Sequence, residues 1–146
     1  MATVRFIKLD PKAKAPLYAS AEAAGADLFA LTGGVLRIPA GETMMVHTGI
    51  ALALPAGYAG FVYARSGLAS KRGIAPANKV GVIDADYRGE IMVALHNHSA
   101  TEQVIENGER IAQLVVAPVT RALFEECEAL DGTARGAGGF GSTGRV

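Results

Sequence analysis

Side chains that could carry out proton transfer are concentrated in one stretch, "GVIDADYRGE" (residues 81–90). It holds Asp84, Asp86 and Glu90, with Tyr87 among them, between two strand-like runs. An ionised carboxylate in such a place can accept a proton from a water molecule within hydrogen-bond reach. Acids and glycine are also what exposed turns contain, so a solvated hairpin tip is the competing interpretation and, on these residues alone, the favoured one.

A second stretch, "ARSGLASKRG" (residues 64–73), has the residues of an anion-binding site. Arg65, Ser66 and the backbone amides that follow would lie at the start of a short helix. We expect about two helical turns there, with Ser66 as the N-cap. The same residues also describe a capped turn without any ligand, and both interpretations remain open.

The stretch "RGAGGFGSTGRV" (residues 135–146) looks like part of a phosphate-binding loop. Gly136, Gly138 and Gly141 fit G-x-G-x-x-G, and the P-loop pattern also fits except that Ser142 stands where its lysine belongs. Both patterns need a following helix whose N-terminus faces the anion, and only five residues follow Gly141. From Asp131 onward the sequence is rich in glycine and has no periodic apolar residue, which predicts a flexible tail.

Two other combinations of side chains are weaker candidates. His96 and His98 would project from one face of a strand, but no cysteine or third histidine completes a recognised metal-ligand pattern. We therefore expect these imidazoles to be satisfied or to face solvent. Cys127 has no identifiable base and no G-x-S-x-G motif occurs, so a cysteine or serine nucleophile is not indicated.

The composition limits what the protein can do. The 146 residues carry no formal net charge, which fits one domain and argues against the broad basic face of a protein that grips polymeric nucleic acid. One cysteine cannot form an internal disulfide, and "MATVRFIKLD" lacks the apolar core of a signal peptide, so we expect a cytoplasmic location. Thr43 to Ala64 is uncharged and long enough to span a membrane, but Pro55-Ala56-Gly57 interrupts it, so two strands joined by a turn fit better.

The elements that must position these residues are mostly strands, since segments of alternating apolar residues recur between glycine- and proline-rich turns. These segments are "TVRFIKL", "VLRI", "TMMVHTGIALAL", "GFVYA", "EIMVAL" and "RIAQLVV". The pattern predicts an all-β fold, a distorted jelly-roll barrel or sandwich with at most one short helix. We expect the barrel domain to span residues 1–130 and the tail 131–146. The segment "RALFEECEAL" (residues 121–130) is ambiguous between a helix and a continued strand.

Taken together, these motifs resemble those of the trimeric deoxyuridine triphosphate nucleotidohydrolases, the dUTPases. The match runs in order from Ala24 to Gly144. The segments that look like the family's five motifs are "AGADLFA", "RSGLASKRG", "GVIDADYRGEI", "GERIAQL" and "RGAGGFGSTG". Five motifs in the family's order leave little room for chance.

The resemblance implies hydrolysis of dUTP to dUMP and pyrophosphate, which prevents uracil incorporation into DNA. Water attacks the α-phosphorus, and Mg²⁺ is chelated by the triphosphate. Asp84 matches the family's catalytic aspartate, which orients the water and contacts the deoxyribose 3′-hydroxyl. Asp27 looks like an outer-sphere contact that reaches Mg²⁺ through water, so the resemblance implies no direct protein ligand.

The resemblance also implies two sets of binding residues. Those for the base and sugar are Asn78, Gly81, Val82, Ile83, Asp84, Tyr87 and Met92. In this set the hairpin backbone offers the donor and acceptor pattern of a pairing base, and Tyr87 leaves no room for a ribose 2′-hydroxyl. Those for the phosphate oxygens are Arg65, Ser66, Gly67 and Gln113.

As the fifth motif, the tail resembles a lid rather than half of a P-loop. Its glycines would let backbone amides approach the triphosphate, and Phe140 would stack over uracil. The tail residues implied at the phosphates are Arg135, Gly141, Ser142 and Thr143. In this family each site lies at the junction of three subunits and the lid comes from a neighbour, so the resemblance implies a homotrimer.

Two alternative functions share part of this pattern. A deoxycytidine triphosphate deaminase resembles the third motif and has the same fold but acts at the base, whereas the glycine-rich fifth motif favours phosphate-ester hydrolysis. A non-catalytic nucleotide sensor could keep the pocket, although recognition alone would need neither Asp84 nor a lid.

Overall fold

Strands dominate the computed structural model, which describes residues 2–139. In chain order the elements are β1 (Arg5–Lys8), β2 (Leu17–Tyr18), β3 (Ala26–Phe29), β4 (Leu36–Ile38), β5 (Thr43–Ala53), β6 (Tyr58–Tyr63), α1 (Ser66–Arg72), β7 (Ile74–Pro76), β8 (Gly81–Ile83), β9 (Glu90–Asn97), β10 (Gln103–Ile105) and β11 (Arg110–Pro118). One short helix among eleven strands confirms the predicted all-β jelly roll.

Two antiparallel sheets and a two-stranded pair enclose the core. The first sheet has the order β1-β5-β9-β7, the second has the order β2-β3-β11-β6-β8, and β10 pairs with β4. Alternation along the strands explains this layering, because in β9 every second side chain, from Ile91 through Val93 to Leu95, points into a single apolar core. The other side of each strand is left for solvent or for a site.

Strand β5 contains a bulge that lets it pair with both β1 and β9. Its register on β9 shifts between His47 and Ala51, and Gly49 adopts a left-handed φ of 70°. A β-carbon on Gly49 would lie 2.5 Å from the Leu31 Cδ2 atom. Only glycine combines this dihedral angle with so little space.

The uncharged stretch from Thr43 to Ala64 forms β5, a turn and β6, as predicted. Across residues 2–139, no helix has the length and apolar character needed to cross a bilayer.

Helix α1 has the predicted two turns but begins differently from the prediction. Arg65, not Ser66, is the N-cap. Its guanidinium has no acceptor for a helix N–H, so it makes no capping hydrogen bond, and it donates to Asp27 instead. Buried Leu68 attaches the helix to the core. Gly73 ends the helix with φ 67°, its amide donating to the carbonyl groups of Leu68 and Ala69, as a left-handed C-cap does.

Residues 119–139 contain no helix or strand, so neither reading of "RALFEECEAL" holds. Leu123 and Phe124 are more than nine-tenths exposed. An isolated helix of ten residues is marginal in water without an apolar surface to pack against, and these side chains find none on their own barrel. Propensity and periodicity could not reveal this lack of a partner surface.

Candidate active site

One cleft of about 270 Å³ collects the residues predicted for a base and sugar. Its lining includes Asn78, Gly81, Val82, Ile83, Asp84, Tyr87 and Met92. These residues come from four neighbouring pieces of chain: the turn before β8, β8 itself, the hairpin after it, and the outward face of β9. This turn is exposed, as the hairpin-tip interpretation expects, and it also forms a wall of a cavity.

Strand β8 forms one wall of the cleft and is an edge strand. Among residues 2–139 it pairs with β6 on one side only, where Phe61 faces Val82 and Val62 faces Gly81. An edge strand presents unpaired backbone N–H and C=O groups along its free side. The cleft thus offers main-chain donors and acceptors to a flat polar ligand.

A tight turn holds Asn78 at the mouth of the cleft. Lys79 has a left-handed φ of 65°, and the Val80 amide donates to the Asn78 carbonyl over 2.7 Å. A β-carbon on Gly81 would lie 3.4 Å from the Asn78 Nδ2 atom, so the amide group packs closely against β8. The side chain of Asn78 is exposed and available to a ligand.

Asp84 follows β8 directly and is exposed on the cleft. Its backbone carbonyl accepts the amide of Tyr87 at 3.2 Å, which closes the turn. Within residues 2–139, no donor forms a hydrogen bond with the Asp84 carboxylate. The carboxylate is therefore open to a water molecule or a ligand hydroxyl.

Tyr87 lies across the hairpin that follows. Its hydroxyl donates to the backbone carbonyl of Glu90 at 3.0 Å. The Arg88 guanidinium donates to the carbonyl groups of Ala85 and Tyr87, at 2.7 and 2.8 Å, and fixes the turn. The hydroxyl bond thus holds the tyrosine ring, and the Arg88 bonds hold the backbone of the turn that carries it.

Glu90 anchors the far side of this hairpin to the bulge in β5. Its carboxylate accepts the amide of Gly49 at 2.8 Å and pairs with His47 Nδ1 at 2.8 Å. Burial by itself would raise the pKa of Glu90, but the hydrogen bonds from His47 and Gly49, together with the His47 charge, outweigh burial and lower that pKa overall. Glu90 is thus held as a carboxylate.

A second cluster brings together Asp27, Arg65 and Gln113. The Arg65 Nε atom donates to Asp27 Oδ1 at 2.8 Å, and Gln113 Nε2 donates to the Ala64 carbonyl at 2.8 Å. Gln113 stands opposite Asp27 in the β11–β3 register. Sheet pairing thus assembles three residues that are 38 or more positions apart in sequence.

Arg110 joins this cluster, although the sequence analysis did not single it out. Its Nη1 atom donates to Asp27 Oδ2 at 3.1 Å, so both oxygens of the buried carboxylate are engaged by guanidinium groups. Arg110 belongs to "GERIAQL", the segment from which only Gln113 was predicted to bind. Its position beside Asp27 follows from the pairing of β11 with β3, which spacing along the chain does not reveal.

The cleft and the cluster are neighbours across the second sheet. Gly81 of β8 pairs with Val62 of β6, and Val62 pairs with Leu114, the residue after Gln113. Strands in a sheet are about 4.8 Å apart, so the two sites lie within the length of one nucleotide. Ser66 and Gly67, at the first turn of α1, are exposed beside Arg65, and no atom lies within 4 Å of a β-carbon on Gly67.

The structure does not bring the predicted tail residues to the cleft as far as residues 2–139 describe them. Arg135 is exposed, and its Nε atom donates to the Gly138 carbonyl of its own segment at 2.8 Å. It is not in the lining of the cleft as far as residues 2–139 define it. Phe140, Gly141, Ser142 and Thr143 lie outside the described residues.

His96 and His98 meet edge to face at the end of β9, with an interplanar angle of 67°. Their ring centroids are 4.3 Å apart, and His96 Nδ1 is 2.9 Å from the Thr43 hydroxyl. Desolvation, followed by the charges of His96 and Lys79, lowers the pKa of His98. In the part of the chain that is described, no three histidine, cysteine or acidic side chains form a metal-binding group, and Cys127 is exposed.

Known proteins are similar to this chain in both sequence and fold. A family model described as dUTPase matches residues 11–144. The deoxyuridine 5'-triphosphate nucleotidohydrolase of Methylocella silvestris is 52% identical over 131 residues, covering 88% of this chain and 82% of that protein. Its namesake from Desulfitobacterium hafniense (strain DSM 10664 / DCB-2) is 50% identical over 142 residues, covering 97% and 94%. The Staphylococcus bacteriophage 80alpha dUTPase solved with dUPNHPP superposes with a TM-score of 0.89 at 27% identity, covering 97% of this chain and 98% of that one.

Proposed function

The chain belongs to the dUTPase family, and on this basis we propose that it hydrolyses dUTP to dUMP and pyrophosphate. One observation carries the proposal: the free edge of β8, the open carboxylate of Asp84 and the ring of Tyr87 line one cleft beside the guanidinium cluster on Asp27. A base, a sugar and a chain of phosphates are laid out in that order along a nucleotide.

Uracil is selected by main-chain groups of β8 together with the Asn78 amide. Cytosine reverses donor and acceptor at its 4-position, which leaves buried groups unpaired at a cost of about 1–3 kcal/mol each. The 5-methyl group of thymine collides with the cleft wall near Met92. Tyr87 packs under the sugar and excludes the 2′-hydroxyl of a ribonucleotide.

The phosphates are bound by Arg65, Ser66, Gly67 and Gln113. The guanidinium of Arg65 is aligned by its 2.8 Å bond to Asp27, which supports this role because an aligned fork loses little conformational entropy on binding an oxyanion. Arg110, on the other oxygen of Asp27, adds a second positive charge at the same place.

Asp84 accepts a proton from the attacking water. As the water oxygen bonds to the α-phosphorus, the bond from that phosphorus to the oxygen bridging to the β-phosphate breaks. Pyrophosphate leaves with that electron pair, and the water proton goes to the carboxylate. The openness of Asp84 within residues 2–139 supports this role, since a carboxylate already bonded to neighbours would have less basic capacity.

Mg²⁺ chelated by the triphosphate would neutralise charge on the phosphates. The donor set here fits an outer-sphere contact: both Asp27 oxygens already accept a guanidinium N–H, yet each keeps a lone pair for a metal-bound water. No residue is therefore assigned as a direct ligand, and Asp27 has the double task of aligning Arg65 and receiving that water.

We place the tail of one subunit over the site of another in a homotrimer. Arg135, Phe140, Gly141, Ser142 and Thr143 then close over the nucleotide. The exposure of residues 119–137 supports this arrangement, because that length of chain is not spent on packing against its own barrel.

The test is to incubate the protein separately with dUTP, dCTP, dTTP and UTP, with and without Mg²⁺, and to measure pyrophosphate. We expect release from dUTP only, and a large drop without the metal. Asp84→Asn should abolish turnover while nucleotide affinity stays within about tenfold, and Asp86→Asn, on the same exposed turn, serves as the control. Ammonia from dCTP would indicate a deaminase, and tight dUTP binding without pyrophosphate would indicate a sensor.

A further inference from the structure

We propose that Gly89 sets the preference for deoxyribose over ribose by holding the Tyr87 ring in place. Gly89 touches no substrate in this scheme and is a positioning residue. The inference rests on the proposed function, in which the Tyr87 ring is the wall that meets the sugar.

The backbone of Gly89 does not itself require glycine. Its φ lies outside the left-handed region that seven other glycines of the described chain occupy, so an L-residue could adopt the same conformation. The requirement comes from its surroundings. A β-carbon on Gly89 would lie 2.5 Å from the Tyr87 Cζ atom and 2.9 Å from its Cε2 atom, and the hydroxyl oxygen is closer still.

These contacts involve the far end of the Tyr87 side chain, where the hydroxyl joins the ring. Two ring carbons and the hydroxyl all meet the added atom, so rotation of the hydroxyl alone cannot relieve the overlap. The whole ring would have to swing away from Gly89. Non-bonded carbon atoms approach each other to about 3.5–4.0 Å at their optimum, so the displacement is on the order of 1 Å or more.

The other constraint on the ring is its hydroxyl hydrogen bond. Tyr87 donates to the carbonyl of Glu90, and Glu90 is in turn fixed by the Gly49 amide and His47. A ring that has swung away from Gly89 loses this 3.0 Å bond. Tyr87 is more than two-fifths exposed, so few other contacts keep it in place.

The consequence concerns selectivity. A steric wall discriminates only if it stands at a fixed distance from the group it excludes. With the ring displaced, the 2′-hydroxyl of UTP finds room, while dUTP loses the packing under its sugar. Gly89 thus determines specificity through Tyr87.

The experiment compares kcat/KM for dUTP and UTP in Gly89→Ala, Tyr87→Ala and the double variant. Gly34→Ala is the matched control, since Gly34 also lacks a left-handed φ and a β-carbon there meets nothing within 4 Å. We expect Gly89→Ala to lower the dUTP-to-UTP ratio by about tenfold or more, the size of effect that one steric group produces in a pocket. The control should retain the wild-type ratio.

The double variant isolates the route of action. If Gly89 acts only through the ring, adding Gly89→Ala to Tyr87→Ala changes the ratio no further. A wild-type dUTP-to-UTP ratio in Gly89→Ala, while Tyr87→Ala relaxes selectivity, overturns the inference. Equal losses for both nucleotides with the ratio intact also overturn it, because they are the mark of a merely structural glycine. A further drop of the ratio in the double variant also overturns it.

Tyr87→Phe keeps the test independent of folding, because it removes the hydroxyl anchor and adds no atom. It should lower the ratio in the same direction by a smaller factor, and an unchanged ratio counts against the inference. Failure of the proposed function looks different. The wild-type protein would then release no pyrophosphate from dUTP, or Tyr87→Ala would leave selectivity unchanged, and in both cases the inference falls with it.

Discussion

At the residue scale, the proposed phosphate site depends on Asp27, which accepts hydrogen bonds from both Arg65 and Arg110. A buried carboxylate that accepts two guanidinium groups is stable only while both are present, because each compensates part of its desolvation. The same carboxylate fixes the direction of Arg65. Electrostatics and geometry are therefore coupled through one side chain.

Replacing Arg110 tests this coupling. We expect Arg110→Gln to lower kcat/KM for dUTP by about tenfold or more, since a hydrogen bond to a charged group contributes about 1.5–3 kcal/mol. Steady-state kinetics would measure the loss, which should fall mainly on KM. Arg37→Gln is the control, because the Arg37–Glu102 pair is exposed and far weaker. Equal kinetics for the two variants would remove Arg110 from the site.

The Glu90–His47 pair gives a prediction about pH. The pKa of Glu90 is lowered in the folded protein, so the folded state gains stability above the ordinary value of 4.5 and loses it as pH falls through the lowered pKa. Urea unfolding between pH 6 and 3 should therefore show a stability loss that His47→Gln reduces. The reduction should be no more than about 1 kcal/mol, because His47 is exposed. An identical pH profile in the variant would refute the assignment.

The motifs identified Asn78, Asp84 and Tyr87, and the structure brings these three residues to one cleft. The sequence did not single out Arg110 or Gly89. In the sequence Arg110 looks like a solvated arginine near a turn, and only the register of β3 on β11 places it beside Asp27. Gly89 looks like an ordinary turn glycine near a tyrosine. In the proposed site both residues act through a neighbouring side chain, Arg110 through Asp27 and Gly89 through Tyr87. A single sequence does not show which residues are neighbours in space.

At the scale of elements, the bulge in β5 links the core to the site. Gly49 gives that bulge its left-handed turn, and its amide helps to hold Glu90. A substitution at Gly49 therefore also disturbs the hairpin that carries Tyr87, because it moves the amide that holds Glu90.

We predict that Gly49→Ala destabilises the protein by about 2–4 kcal/mol, the sum of left-handed strain and overpacking against Leu31 and Ala13. Gly57→Ala is the matched control: it has a φ of 80° but open space around the new atom, so only the conformational part remains. The difference between the denaturant midpoints of the two variants separates the cost of overpacking from the cost of the left-handed backbone conformation. Equal midpoints would mean that the bulge tolerates a side chain.

Alternation predicted six of the strands, and each of the six segments appears as a strand or contains one. The five that it missed are β2, β3, β7, β8 and β10, which have two to four residues. Runs this short display a period of two only weakly, although three-residue β4 was predicted within "VLRI", and the strand character of the missed five is set by their partner strands. Two of these strands, β3 and β8, carry Asp27 and the wall of the cleft, so the site lies where the sequence signal was weakest.

At the scale of the whole molecule, we predict that the barrel and the tail perform separable tasks. Regular structure ends at Pro118, and the described residues beyond it are almost all exposed. Removal of Arg135 to Val146 should leave a folded trimer, because the lost segment has no periodic apolar residues to contribute to the core. Activity should collapse for lack of the lid.

Mixed trimers test whether the lid crosses between subunits. The tail deletion and Asp84→Asn should each be inactive, for different reasons. When the two chains are unfolded together and refolded, some sites combine an intact Asp84 from one chain with an intact tail from the other, and pyrophosphate release from dUTP should return. Mixed trimers confirmed by mass that remain inactive would show that each lid serves its own subunit.

The free edge of β8 also bears on how this protein can evolve. A pocket whose selectivity comes from side chains can be retuned by a few point mutations, each of which is tested by selection. A pocket that reads its ligand with main-chain groups has nothing to substitute at Gly81, Val82 and Ile83, because every amino acid except proline brings the same N–H and C=O. Substitutions at these three positions change the stability of the protein or the fit of the sugar before they change which base is bound. A lineage that needed a different pyrimidine would have to reshape the strand itself, by insertion, deletion or a change of register.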